Sequence, residues 1–408
     1  MAGETWSVVS PDDHWVIWAT LVGGAALSIW LEQRNAVARK ITGAVIALFA
    51  GMALSNAGFL PASSASYDVV WNYVVPLVVP LLLMRLNVLR VVRETGRLFG
   101  AFHLAALGTV VGTVAAVWLL GRSIPELPKI GAAMSASYIG GSVNFVAMVS
   151  TFRPSAELSD ATIVADNAVM ALYFLLLIAL PAIPRVRRAF SAAASRAPGS
   201  PAAPEAPSGP EAGRAEDFWR PRPISLLGLG LALACAFAIA AASDKVSGLF
   251  ARGGCHPLVR DFLGQRYLVL TTLSVLFPIA FPRLAASAEG SQELGTFFIY
   301  VFFILVGVPA SFEAVFARAP LLFAFCAVIL LGNFAVTFGL GKLLGYRLEE
   351  LVLAAVVTSG GPMNGAAIAI SKGWAPWVFP SVLAGLWGYC IGNYVGFAVG
   401  RALSAAFG

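Results

Sequence analysis

The chain has 408 residues, of which 59% are hydrophobic and 12% charged, with a mean hydropathy of +0.81. A soluble domain carries about a quarter charged residues, so this composition excludes a soluble enzyme, a DNA-binding protein and a disulfide-stapled secreted domain, and it makes the lipid bilayer the expected partner. The net charge of +6 calls for no nucleic acid, because Lys and Arg gather in the cytoplasmic loops of membrane proteins.

A full helical span takes about 20 residues. Apolar runs cover 15–31, 41–60, 69–90, 97–121, 130–152 and 160–184, and then 224–243, 267–285, 294–312, 319–345, 349–371 and 375–402. The segment before Trp15 holds Glu4, Asp12 and Asp13 but no Lys or Arg, which is not the basic start of a cleavable signal peptide. Residues 185–223 are rich in Pro, Ala, Gly and Ser and read as a flexible linker. The expected organisation is an N-terminal membrane repeat (1–184), a cytoplasmic linker (185–223) and a C-terminal membrane repeat (224–408).

The halves resemble each other. SASYIGGSVNFVAM (135–148) aligns without a gap on AVVTSGGPMNGAAI (355–368), placing Gly140 on Gly360, Gly141 on Gly361, Asn144 on Asn364 and Ala147 on Ala367. Upstream, Gly108 falls on Gly332, Thr113 on Thr337 and Gly121 on Gly345. Such a duplication is a recurrent feature of transporters.

Charge sets the orientation. The loops with Arg34, Arg39 and Lys40, with Arg85, Arg90, Arg93 and Arg97, and the Arg-rich linker are expected inside, which puts the N-terminus outside. Three runs separate the second basic loop from the linker, so one of them does not cross. The run 130–152, glycine-rich and polar at its centre, is the one chosen, since irregular backbone at membrane depth survives only inside protein or against a water-filled cavity. Treating 349–371 alike gives an all-α polytopic membrane protein of two inverted repeats, with about ten transmembrane helices and two re-entrant or broken glycine segments. The rival geometry makes both segments broken helices that cross completely.

The doubled GG-x-x-N motif is the strongest candidate site. Paired glycines let the backbone leave helical geometry and let a ligand approach it, and an Asn amide both donates and accepts. Gly140, Gly141, Ser142, Asn144, Gly360, Gly361, Pro362 and Asn364 are the expected solute-binding residues. Asp166, with Asn167 beside it, is expected to couple an ion, because an ionisable group at depth usually marks an ion pathway; Asp160 is read as marking the membrane boundary of that span. His103, Asn333 and Asn393 read as interhelical hydrogen-bonding groups. Gly388, Gly392, Gly396 and Gly400 line one helix face and read as a packing seam. Cys235, Cys326 and Cys390 lie in apolar runs, Cys255 stands alone in a polar loop, and no metal-binding spacing occurs. GxSG with a membrane His, HExxH and paired intramembrane aspartates are all missing, so an enzyme is not expected. Neither is a cofactor beyond a coupling Na⁺ or H⁺.

The runs YIGGSVNFVAM, SGGPMNGAAIAISKGW, VVPLLLMRLN and FFILVG resemble the YjcL-like family of uncharacterised membrane proteins over nearly the whole chain except the linker, with Met363 standing where a small residue is expected. That family is distantly similar to the bile-acid, glutamate and hydroxycarboxylate symporter and cation/proton antiporter superfamily. The resemblance implies secondary transport through inverted repeats. The function expected is ion-coupled transport of a small organic anion or zwitterion in a bacterial plasma membrane. The alternatives are monovalent cation/proton antiport or, from another class, an intramembrane enzyme or a sensor; a small solute and a second copy of the chain are the candidate partners.

Overall fold

The computed structural model describes residues 7–35, 38, 43–84, 86–196, 224–252, 256–308 and 312–407, and among them no strand occurs. The helices are α1 (His14–Arg34), α2 (Gly43–Asn56), α3 (Ala65–Leu83, with a π turn over Val70–Val74), α4 (Val88–Glu94), α5 (Arg97–Leu120), α6 (Leu127–Gly140), α7 (Ser142–Phe152), α8 (Ala156–Ala179) and α9 (Pro184–Arg196). After the linker come α10 (Leu226–Arg252), α11 (Pro257–Leu263), α12 (Arg266–Ala280), α13 (Pro282–Ser287), α14 (Ser291–Gly307), α15 (Phe312–Leu343), α16 (Leu348–Ser371) and α17 (Ala375–Phe407).

Seven of the described helices are long and apolar enough to cross a membrane: α1, α3, α5, α8, α10, α15 and α17. The chain is an integral membrane protein. Three further segments expected to cross, α2, α12 and α14, have 14, 15 and 17 residues, or about 21 to 26 Å at 1.5 Å per residue. Two of these have local causes: α12 ends at Phe281 after Pro278, and α14 starts behind the left-handed Gly290. The interval read as linker begins as helix instead, since Pro184 opens α9 and Arg185, Arg187 and Arg188 follow in its first turns; the expectation for 197–223 lies outside the described residues, as does Cys255.

Two compact units form, each taking pieces of both sequence halves: unit 1 is Met1–Arg85, Val149–Asn167 and Ser225–Phe323, and unit 2 is Leu86–Met148, Ala168–Ile224 and Ala324–Gly408. In unit 1, α2 and α14 lie side by side and run the same way. A Cβ built on Gly51 would sit 1.9 Å from the Ile304 carbonyl, and one on Gly307 2.1 Å from the Leu48 carbonyl. At one end of this unit the N-terminal segment is tied down, with Val8 N–H donating to Gly58 O at 2.7 Å, Ser64 Oγ–H to Pro11 O at 2.7 Å, and His14 Nδ1 lying 2.9 Å from Ser66 Oγ. Arg266, at the start of α12, reaches the Asn72 carbonyl and ion-pairs with Asp244 at 2.5 Å. A cavity of about 1070 Å³ occupies this end, its wall including Asp12, Ser64, Tyr67, Asp68, Ser150, Arg153, Ser159, Arg266 and Val308.

Unit 2 is organised by glycines that let backbones touch. Helices α5 and α15 run antiparallel and cross where a Cβ on Gly332 would lie 2.4 Å from Gly112 Cα and one on Gly108 2.8 Å from Asn333 Cα. Beside the crossing, Asn333 is saturated: its Nδ2 donates to Ala105 O at 2.9 Å and Thr109 Oγ1 at 3.0 Å, and its Oδ1 accepts from the Tyr173 hydroxyl at 2.7 Å. Asn333 is the interhelical glue expected of it. At the start of α5, Arg97 pairs with the buried Glu350 at 3.0 Å and donates to Gly345 O at 2.7 Å. The glycine ladder of α17 is a seam as expected: Gly388 faces Ile139 O, Gly392 faces Ala136 O and Gly396 faces Ala132 O, so α6 and α17 run antiparallel.

Adding a methyl group at the α5–α15 crossing forces two backbones apart, and overpacking of this kind costs about 1–3 kcal/mol. Gly332→Ala should therefore lower the thermal midpoint of the purified protein. Gly339→Ala on the same helix, where a Cβ meets nothing within 4 Å, should leave it unchanged or raise it slightly. Equal effects at the two positions would contradict the crossing.

Candidate functional site

The expected glycine motifs both break their helices, and they do so with nearly the same backbone geometry. Gly141 has φ 79° and ψ −172°, and Gly361 has φ 78° and ψ −178°. This combination is open essentially to glycine alone, so the second glycine of each pair supplies the break. The first supplies close approach: a Cβ on Gly140 would lie 2.4 Å from the Gly388 carbonyl, and one on Gly360 2.4 Å from the Phe174 ring. The Gly141 N–H still closes onto Ser137 O at 2.6 Å, and the Gly141 carbonyl accepts from Asn144 N and Phe145 N to start α7. Pro362 opens the second half of α16 and packs its Cα on Gly385.

Unit 2 brings both breaks to one residue of α17, Tyr389. A Cβ on Gly141 would sit 3.3 Å from the Tyr389 ring and one on Gly361 3.6 Å from its hydroxyl. The sequence reading missed this residue, although an aromatic hydroxyl within an apolar span, next to the Gly388 seam, was the available signal, since a buried tyrosine usually finds a partner for its O–H.

The two asparagines behave differently. Asn144 is fully buried; its Nδ2 donates to Tyr389 O at 3.1 Å, while its Oδ1 has no hydrogen-bond partner. Asn364 is half-buried, and its Nδ2 donates to Gly360 O at 2.5 Å, back across its own break. Ser142 is exposed at the start of α7. What converges on Tyr389 is therefore an amide acceptor awaiting a donor and two half-helices, α7 and the Pro362–Ser371 part of α16, whose N-terminal ends carry partial positive charge. Such ends suit a carboxylate or phosphate.

The expected ion-coupling pair is Asp166 and Asn167. Both belong to unit 1, and Asn167 Nδ2 is occupied by Ile163 O at 2.8 Å. Asp160, read as a boundary marker, lies inside α8, which begins at Ala156, four residues before the apolar run, and is 0% exposed. His103 is engaged by Trp387 Nε1–H at 3.2 Å and lies 2.7 Å from Phe99 O, in keeping with a structural role.

The described sequence matches known proteins along almost its entire length. The profile described as "Protein of unknown function (DUF819)" covers residues 19–406. The "Uncharacterized membrane protein YjcL" of Bacillus subtilis (strain 168) is 45% identical over 399 residues, spanning 98% of this chain and 99% of that protein. Both glycine breaks and Tyr389 lie inside the matched region, and the chain belongs to the DUF819 family of membrane proteins.

Proposed function

We propose that this protein is a secondary active transporter of a small organic anion or zwitterion, coupled to Na⁺ or H⁺, working by alternating access between two inverted repeats in a bacterial plasma membrane. The observation that carries the reading is the pair of helix breaks with matching glycine geometry on either side of Tyr389. Broken helices whose half-helix ends face a shared midplane site are the recurring construction of repeat transporters.

The contacts within unit 2 favour a re-entrant course for its broken helix α16 over a crossing one. In unit 1, α3 starts at the end that holds Ser64 and Tyr67, and residues 149–159 line the cavity at that same end. In unit 2, α6 starts beside the far end of α5, with Gly131 against Val117 and Thr113, and a re-entrant course for the α6–α7 segment is part of the proposal. In unit 2, α16 starts beside Arg97, rises to Thr358 next to Asn333, and after its break descends along the first half of α17, with Gly365 against Ser381. It returns to its own side. Repeat-equivalent α5 and α15 run antiparallel with Gly108 against Gly332, as an inverted duplication requires. With the basic loops inside, the N-terminus and the cavity of unit 1 face outward.

A melting screen of the purified protein against dicarboxylates, hydroxycarboxylates and amino acids, with and without Na⁺, tests this reading, because a ligand that binds the native state raises the midpoint by mass action. At least one compound should stabilise the protein, and Asn144→Ala and Asn364→Ala should each reduce that shift. A shift that survives in both variants would move the solute away from the glycine breaks.

Gly141→Ala and Gly361→Ala should each cost about 1–3 kcal/mol from backbone strain alone, measured as a lower unfolding midpoint. Gly373→Ala, also at positive φ but with nothing within 4 Å of a Cβ, lies outside the site; it should lower the midpoint yet leave the ligand-induced shift intact. Loss of that shift in the Gly373 variant alone would place the solute elsewhere.

A further inference from the structure

Asp160 carries a carboxylate that nothing in the described protein neutralises. It is fully buried near the start of α8, and neither Oδ1 nor Oδ2 has a hydrogen-bond partner. Every other buried polar group along this turn is served by its own helix, Ser159 Oγ–H donating to Ser155 O at 3.0 Å and Thr162 Oγ1–H to Leu158 O at 2.6 Å. Glu157, one turn earlier, adds a like charge. An ion buried without a partner is strongly unfavourable, so Asp160 needs one positive charge from outside the fold.

The cavity of unit 1 reaches the turn that carries Asp160, although Asp160 itself is not part of its wall. Ser159, the residue before Asp160, is part of its wall, and so are the exposed carboxylates of Asp12 and Asp68, which raise the local concentration of cations. Of its two guanidinium groups, Arg266 is engaged by Asp244, and Arg153 is exposed, with a left-handed backbone at φ 48° that turns the chain from α7 into α8. Tyr67 and Tyr267 are the remaining titratable groups on the wall, and Asp166 lies farther along α8.

We propose that Asp160 is a monovalent-cation site, taking one proton or one Na⁺ through the cavity of unit 1. A role for that cation in coupling rests on the transport reading. The binding does not, and it is tested without any solute.

The first measurement is the melting of the full-length protein as choline is replaced by Na⁺ at constant ionic strength, and separately as pH is lowered at constant Na⁺. A rise with Na⁺ that disappears in Asp160→Asn identifies Na⁺; a rise only with acid that disappears in the same variant identifies the proton. Absence of both responses in the wild type, or their persistence in the variant, overturns the proposal. Since Asp160→Asn can fail to fold, a second measurement uses the wild type alone: modification by dicyclohexylcarbodiimide, which reacts with protonated carboxyls in apolar surroundings, mapped by mass spectrometry. Labelling at Asp160 that slows with added Na⁺ or with rising pH supports the site. No labelling there, or labelling indifferent to both, contradicts it.

Discussion

A backbone that leaves helical geometry inside a bilayer must find partners other than lipid for the groups it frees. Everything notable about unit 2 follows from meeting that demand twice. Gly141 and Gly361 adopt a conformation essentially closed to other residues, and tight backbone packing from α17 covers one side of each break while Ser142 stays exposed. Gly388, Gly392 and Gly396 bring α17 against the carbonyls of α6, while Gly385 accepts Pro362 from the other break. One helix thus packs on both interruptions, and Tyr389 is the side chain that stands between them.

The same logic separates the polar groups that hold the fold from those that remain open. Asn333 spends its amide on Ala105, Thr109 and Tyr173 and has nothing left for a ligand. Asn144, with the same side chain and equal burial, keeps an unused acceptor beside a helix break. Glu350 is buried but matched by Arg97, whereas Asp160 is buried and unmatched. A lone buried acceptor or anion is costly, and both stand unmatched among the described residues.

Much of this was legible in the sequence. Apolar runs of span length, the break inside 130–152 and the doubled glycine motif follow directly from composition and spacing, because a pair of glycines flanked by apolar residues has few other uses. The α17 ladder was equally plain, since a four-residue glycine period fixes one helix face. The rest was hidden for physical reasons. Tyr389 sits in a run of apolar and small residues with no spacing to single it out, and only the packing of three helices gives it a role. The apolar run starts at Asp160, whereas α8 starts at Ala156; its first-turn residues Glu157 and Ser159 carry no hydrophobic signal. Nor could one-dimensional spacing disclose that each compact unit draws on both halves, which depends on contacts among residues far apart in sequence.

The central claim is that each glycine-broken segment enters and leaves the membrane on one side, the two from opposite sides. Single cysteines in a background lacking the four native ones, labelled with an impermeant maleimide in intact cells and in inverted vesicles, test it most directly. The account predicts that Ser123→Cys and Ala156→Cys, flanking the first segment, react from the same side, and that Leu344→Cys and Lys372→Cys, flanking the second, react from the other. Flanks of either segment reacting from opposite sides would show a helix that crosses completely and would contradict the account.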